Sequence, residues 1–369
     1  MPRAGYHRRI DSIRGLEMDH HEGRRTRRRW SRRLGAALIA LGMATTSTAC
    51  GSAFSAGPDA PGSTGALPAT ATASEVFAGG QFVDPRSEAV RSEAELRAAG
   101  DDDDADAVAQ ISGEPTAIWL GDWYPADDLP RVLGAYREEA AADGSTLVFV
   151  LSGMAGRDCT RSVAGGGFSE RDYLDWVRVV AEELSGSRAV IMLEPDSVAT
   201  LDGESCTDER ERRIPLLRGA VDTLTAAGLT VYLDGGHNGL ILEDRMAQLL
   251  LDAGIDQARG FFSNVSNFYR VDEVRPYAER VSALLDRKSF VIDVSRSGVG
   301  GQPDWCNPPE AALGQPPEVS TDASSLDALL WIKRPGESDG PCDGAPRAGD
   351  WYLDYAVTLV DNRAEGAAR

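Results

Sequence analysis

The chain has 369 residues, 38 of them basic and 58 acidic, for a formal net charge of −20. Eleven of the basic and four of the acidic residues fall within the first 49, so the remainder holds 27 basic against 54 acidic side chains, net −27. A surface that acidic repels polyphosphate and excludes nucleic acid as an expected partner, and a single histidine after position 49, His237, leaves little for a zinc centre.

The first fifty residues read as an export signal. Residues 24–33 are densely basic, 34–43 are apolar, and small residues lead to Ala49-Cys50-Gly51. This order is that of a secretory signal. The apolar run is far shorter than the ~20 residues a membrane-spanning helix needs. Cys50 stands where a lipoprotein signal is cut, which makes it the expected lipidation site; the plainer reading is a cysteine discarded with the signal. Residues 51–74, rich in Gly, Ala, Ser, Thr and Pro, have the composition of a flexible tether. Residues 75–369 suffice for one large domain with a full core. The expected product is a monomer, secreted or held at the cell surface by a lipid.

Seven short, largely apolar runs follow, at 117–120, 147–151, 189–193, 230–233, 260–265, 290–294 and 329–332. They lack clean alternation, as do strands buried on both faces. Segments with helical spacing lie between them, including 129–142, 173–184, 214–227, 240–253 and 271–285. Alternating strands and helices predict an α/β fold with a parallel sheet, curled into a closed or nearly closed barrel; an open doubly wound sheet is the alternative. The aspartates at 101–104 predict a solvated loop rather than a metal site. Four cysteines follow Cys50: Cys159, Cys206, Cys306 and Cys342. An even count in an exported chain points to two disulfides. Of three connectivities, the sequential one closes the shorter loops and is expected.

Polar residues gather where the apolar runs end. In order they are Asp158; Glu194 and Asp196; Asp234 with His237; Asn264, Ser266 and Asn267; Asp293, Ser295 and Arg296; then Lys333, Glu337 and Asp339. Caps and salt bridges account for one or two of these, not all. In parallel barrels the strand ends carry the active site. A ring of acids suits glycosidic bond hydrolysis, in which one carboxylic acid protonates the leaving oxygen and a carboxylate activates the nucleophile. Like charges crowded together should raise the pKa of at least one member. Glu194 and Asp196, two apart on an extended segment, should face the same way. Trp119, Trp123, Trp305 and Trp331 lie near strand ends, where aromatic platforms for sugars belong. No G-x-S-x-G, Walker or G-x-G-x-x-G pattern competes with this reading.

These blocks, in this order, resemble glycoside hydrolase family 6, the family of cellobiohydrolases and endoglucanases. The resemblance spans residues 76–362. It is carried by Gly156-Arg157-Asp158-Cys159, Leu193-Glu194-Pro195-Asp196-Ser197, Tyr232-Leu233-Asp234-Gly235-Gly236-His237, Asn264-Val265-Ser266-Asn267, Trp305-Cys306-Asn307-Pro308 and Trp331-Ile332-Lys333-Arg334-Pro335-Gly336-Glu337-Ser338-Asp339. It implies a distorted parallel β/α barrel of about seven strands, with residues 75–369 as the catalytic domain. It also implies inverting hydrolysis of β-1,4-linked glucan without metal or other cofactor. Asp196 inherits the role of general acid. Asp158 inherits that of keeping the acid protonated, and Asp339 that of base or charge stabiliser. Asp234, His237, Asn267, Trp305, Lys333, Glu337 and Trp119 match sugar-contacting or supporting positions, and both expected disulfides match the family's pattern.

Three departures stand out. Ser152 replaces a tyrosine that crowds the reacting sugar, which should raise the barrier. Val163 replaces a serine that holds the reacting water, with Ser162 one residue off. Leu240 replaces a tryptophan that stacks on the leaving-side sugar. They leave open a second function, a surface lipoprotein that binds polysaccharide and hydrolyses little.

Overall fold

The computed structural model describes residues 67–68, 70–156 and 166–367. The export signal, Cys50, most of the tether, Asp158, Cys159, Ser162 and Val163 lie outside the described residues. Packing begins with Ala71, which is buried, and with α1 (Ala73–Val76), started by a capping box in which Thr72 and Glu75 satisfy each other's backbone N–H.

Two helices, α2 (Glu88–Ala99) and α3 (Asp102–Ser112), precede the sheet. The aspartates at 101–104 are exposed, as expected, but they are not a loop. Asp102, Asp103 and Asp104 form the first turn of α3. Their charge meets the positive end of the helix dipole, which favours helix over loop.

Eight strands form one sheet: β1 (Ile118–Gly121), β2 (Leu147–Ser152), β3 (Ala189–Leu193), β4 (Thr230–Asp234), β5 (Gly260–Ser263), β6 (Ser289–Asp293), β7 (Glu318–Val319) and β8 (Leu326–Leu330). Their order is β1-β2-β3-β4-β5-β6-β8-β7, and every pairing is parallel except β7 with β8. The helices α4 (Leu129–Asp143), α5 (Glu170–Leu184), α6 (Arg210–Ala226), α7 (Glu243–Asp252) and α8 (Val271–Leu284) alternate with the strands, and α9 (Leu353–Ala367) closes the chain. Among the described residues no helix is long and apolar enough to cross a membrane.

The strands read as uniformly apolar because both faces are buried, yet the two faces serve different cores. Phe149, Leu151, Ile191, Leu193, Leu233, Phe261 and Ile292 pack outward against the helices. Val148, Val150, Val190, Met192, Tyr232, Phe262, Val291 and Ala328 converge on the inside, with Val76 and Phe77 joining them. An enclosed second core is what distinguishes a curled barrel from an open sheet. The seam between the first and last parallel strands is thin. Ala117 N donates to Trp331 O at 2.9 Å, and the Trp119 indole Nε1 donates to Ile332 O at 2.8 Å. The fold is thus a distorted parallel α/β barrel.

The last parallel strand starts earlier than the apolar run at 329–332, because Asp327 interrupts the pattern. The register with β6 shifts between Phe290 and Val291, so β8 carries one extra residue there. Asp327 is buried and accepts from Tyr232 Oη at 2.6 Å and from Arg259 Nε and Nη2 at 2.7 and 2.9 Å. The two-residue β7 was too short to show any periodicity.

Asp327→Ala should leave a largely buried guanidinium, Arg259, and a fully buried phenol, Tyr232, without their acceptor. The expected loss is about 3–5 kcal/mol of unfolding free energy, read from urea midpoints against the parent protein.

Candidate active site

Parallel strands deliver their C-terminal ends to one rim, and the acids found there divide into two kinds. The first kind ties loops together. Glu194, at the end of β3, is fully buried, and its Oε1 accepts from the backbone N–H groups of Gly153 and Met154 beyond β2 at 2.8 and 3.2 Å. Asp234, ending β4, accepts from Val198 N and Ala199 N beyond β3 through Oδ2 at 3.1 and 3.0 Å, and from Gly236 N through Oδ1 at 3.0 Å. Asp293, ending β6, accepts from Ser295 N at 2.9 Å, Lys333 N at 2.9 Å and Ser266 N at 3.4 Å. Each carboxylate therefore reaches across to a neighbouring strand's loop. Burial pushes Asp234 and Asp293 up in pKa, and their backbone donors partly oppose it. Burial is the leading cause, rather than the like-charge crowding expected from the sequence.

Asp196 differs. Glu194 and Asp196 both have positive φ, 50° and 67°, so the segment after β3 is a turn and not extended backbone. This overturns the expectation that the two acids face the same way. Glu194 points into the protein while Asp196 is exposed at the rim. The turn is held from below by Arg213, which the sequence reading did not single out. Its side chain is buried in α6, and Nη1 donates to Ser197 O and Thr200 Oγ1, both at 2.9 Å. The other guanidinium arm binds Gly156 O, so one cation anchors two adjoining loops.

Asp339 belongs to a third environment. It is 8% exposed, and Oδ2 accepts from Arg296 Nη1 at 2.6 Å and Asn307 N at 3.1 Å, while Oδ1 lies 3.7 Å from Lys333 Nζ. Burial alone would raise its pKa, but the charges of Arg296 and Lys333 outweigh burial and hold it below the ordinary carboxylate value. Burial lowers the Lys333 pKa, and Asp339 opposes that. Arg296 is fully buried, lies 4.3 Å over the Phe268 ring and donates to Ser266 O at 2.6 Å. Asn307 returns the contact, its Oδ1 accepting from Asp339 N at 2.7 Å. The Cys306–Cys342 disulfide, S–S 1.99 Å, keeps Asn307 beside Asp339. Cys206 is also disulfide-bonded; its expected partner, Cys159, lies outside the described residues.

The remaining expected residues are spread around the rim. His237 is partly buried and stacks at a tilt on Tyr269, ring centroids 5.1 Å apart. Its Nδ1 accepts from Gly239 N at 3.1 Å, so Nε2 carries the proton of the neutral ring; burial lowers its pKa to about 4. Asn267 donates to Val265 O at 3.2 Å. Glu337 is buried against Arg334 at 2.8 Å, and burial raises its pKa. Trp305 is 57% exposed. Trp119 spends its indole N–H on the barrel seam. Trp331 does not line the rim: it is fully buried with Nε1 bonded to Gln315 O, so it is core and not a sugar platform.

The chain matches the model for glycosyl hydrolases family 6 over residues 78–363. It belongs to glycoside hydrolase family 6. It is 38% identical over 283 residues to Endoglucanase A of Cellulomonas fimi, covering 77% of this chain and 61% of that protein. It is 34% identical over 304 residues to Endoglucanase 1 of Streptomyces halstedii, covering 80% and 92% respectively. Among solved structures, it is similar to the endoglucanase Cel6 from Mycobacterium tuberculosis in complex with methyl-cellobiosyl-4-deoxy-4-thio-β-D-cellobioside. That match has a TM-score of 0.71 and 40% identity, and covers 77% of this chain and 97% of that one.

Within this family 6 chain, the sequence blocks contained Arg296 and Asn307 but offered no cue to their link with Asp339. The only signal was their place in blocks flanking other polar residues. Arg213, in the first turn of α6, gave no signal at all.

Replacing Asp339 by Asn should strand Arg296 and Lys333 in the interior and cost about 3–5 kcal/mol at neutral pH. Its folded-state pKa is depressed, so this contribution is complete above the ordinary aspartate value of about 3.9 and is lost as the pH falls through the folded value. Urea unfolding of parent and variant should therefore diverge at pH 7 and converge only as the pH falls below the depressed folded value of Asp339; a constant gap would remove the ion-pair account.

Proposed function

We propose that the protein hydrolyses β-1,4-glucosidic bonds in cellulose or a related β-glucan with inversion, using Asp196 as general acid. The observation that carries the reading is the contrast between Asp196, exposed on a braced turn, and Asp339, buried and held ionised by two cations. Asp196 gives its proton to the glycosidic oxygen as the bond to the anomeric carbon breaks. A water oxygen attacks the opposite face of that carbon, and the proton it loses passes to solvent water, from which Asp196 is reprotonated before the next turnover. Asp339 suits stabilisation of the positive charge that develops on the sugar better than proton abstraction. A carboxylate whose pKa is depressed and whose Oδ2 already accepts two hydrogen bonds is a weak base. Asp158 is the proposed partner that keeps Asp196 protonated between turnovers.

Asp234 fits a positioning role rather than direct sugar contact, because its oxygens are engaged by three backbone N–H groups. His237, Asn267, Trp305, Lys333, Glu337 and Trp119 are the proposed glucan-contacting or supporting residues. His237 would act as a neutral Nε2–H donor. The basic, apolar and small-residue order of residues 24–50 supports export, with Cys50 as the proposed lipid attachment point and residues 51–74 as tether.

Asp196→Ala should reduce reducing-end release from mixed-linkage β-glucan, carboxymethylcellulose and cello-oligosaccharides by at least about a thousandfold, the loss expected when general-acid assistance to a poor leaving group is removed. Near-parental rates in the variant would dismiss the acid assignment. A parent protein that binds cello-oligosaccharides but releases nothing from any of the three would mean a polysaccharide-binding protein on a hydrolase fold.

A further inference from the structure

Trp123 is a large aromatic side chain left 51% exposed at the rim, directly after β1. Its position is fixed on several sides. Tyr124 N donates to Gly121 O at 2.9 Å, closing a tight turn from Gly121 to Tyr124. Asp122 Oδ2 accepts from Gly167 N at 2.8 Å, and the buried Trp176 Nε1 donates to Tyr124 O at 2.9 Å. The indole folds back over Gly121, where a Cβ would stand only 2.3 Å from Cζ3 and 2.6 Å from Cη2. Glycine is required there to admit the ring, not to relieve the backbone.

The direction of that fold is set by strand alternation. Ile118 and Leu120 of β1 face the helices, while Ala117 and Trp119 face the barrel interior. Gly121 therefore faces inward, and the indole covers the inner side of the rim. In register beside Gly121 stands Ser152, the last residue of β2. Val148 and Val150 point inward on that strand, so Ser152 does as well. Gly121 and Ser152 are in-register neighbours on strands about 4.8 Å apart, so the ring of Trp123 over Gly121 and a large side chain at 152 would crowd one space.

We propose that Trp123 is the aromatic wall of the reacting-sugar subsite, occupying from β1 the space that a bulky residue at position 152 would fill from β2. The proposal rests on the glucanase reading above and assigns it a specificity residue. Two carbons of the indole's six-membered ring rest over Gly121 and the side chain is half exposed, which leaves ring surface to stack on the apolar face of a pyranose. Ser152 is then the small partner that leaves room for the ring, rather than a loss. The expectation that Ser152 by itself raises the barrier is replaced by a coupled pair.

The test uses the full-length protein and cellohexaose. Trp123→Ala should lower kcat/KM roughly tenfold, and Trp123→Phe should recover most of it. Because the indole is half exposed, its loss leaves the fold intact. Ser152→Tyr should lower kcat/KM in the parent and raise it in the Trp123→Ala background. Parental kcat/KM in Trp123→Ala overturns the wall, and an equal effect of Ser152→Tyr in both backgrounds overturns the shared space. A parent without turnover strikes the glucanase reading alone. Calorimetric binding of cellohexaose then judges the wall, with equal affinity of parent and Trp123→Ala counting against it.

Discussion

Carboxylates that accept backbone N–H bonds across the gaps between strands hold this rim together. A barrel fixes where its strands end but not how the loops leave them. Glu194, Asp234 and Asp293 join β3 to β2, β4 to β3, and β6 to both β5 and β8. Each carboxylate is desolvated, and that cost is offset only if backbone dipoles take the place of water. The result is a scaffold in which the loops are positioned by buried carboxyl groups that accept backbone hydrogen bonds. Asp196 depends on it directly, because its turn has two residues in left-handed backbone geometry, which persists only where the surroundings enforce it. Arg213 and Asp234 supply that enforcement through Ser197, Val198, Ala199 and Thr200, just beyond the turn.

The other half of the site uses the reverse logic. Asp339 is held by cations, not by its own strand, and those cations come from the ends of β6 and β8. A disulfide and an asparagine complete its surroundings from a long irregular loop. The two halves therefore differ in electrostatic character. Around Asp234 and Asp293, burial favours the neutral acid. Around Asp339, two positive charges favour the anion. The carboxyl groups of one rim are thus displaced in opposite directions from the ordinary aspartate value, one kind by burial and the other by fixed cations.

Much of the fold was legible in the sequence, because strands buried on both faces produce apolar runs that no loop tolerates. The runs at 147–151 and 189–193 coincide with or nearly match β2 and β3. The pattern failed at Asp327, where a bulge turns a charged residue into the barrel, since composition alone does not reveal a partner as remote in sequence as Arg259. The aspartates at 101–104 misled for a simpler reason: a solvated loop and the first turn of a helix both favour acids. At the site, residue types at strand ends were visible but their division of labour was not. Glu194 and Asp196 look equivalent on paper, and only the sign of φ separates a buried latch from an exposed acid. Arg213 was hidden because a helical arginine is ordinarily a surface residue.

The thin seam between β1 and β8 makes this barrel, in mechanical terms, a slit tube. A closed tube resists twisting through an unbroken wall, whereas a tube slit along its length shears easily at the cut. Six parallel pairings form the wall, and among the described residues one main-chain hydrogen bond and one indole N–H stand at the cut. The compliant direction of the molecule is therefore a sliding of β1 against β8. That motion changes the spacing between Trp119 and Trp123 on one lip and Lys333 and Asp339 on the other, while the pairings inside the sheet remain intact.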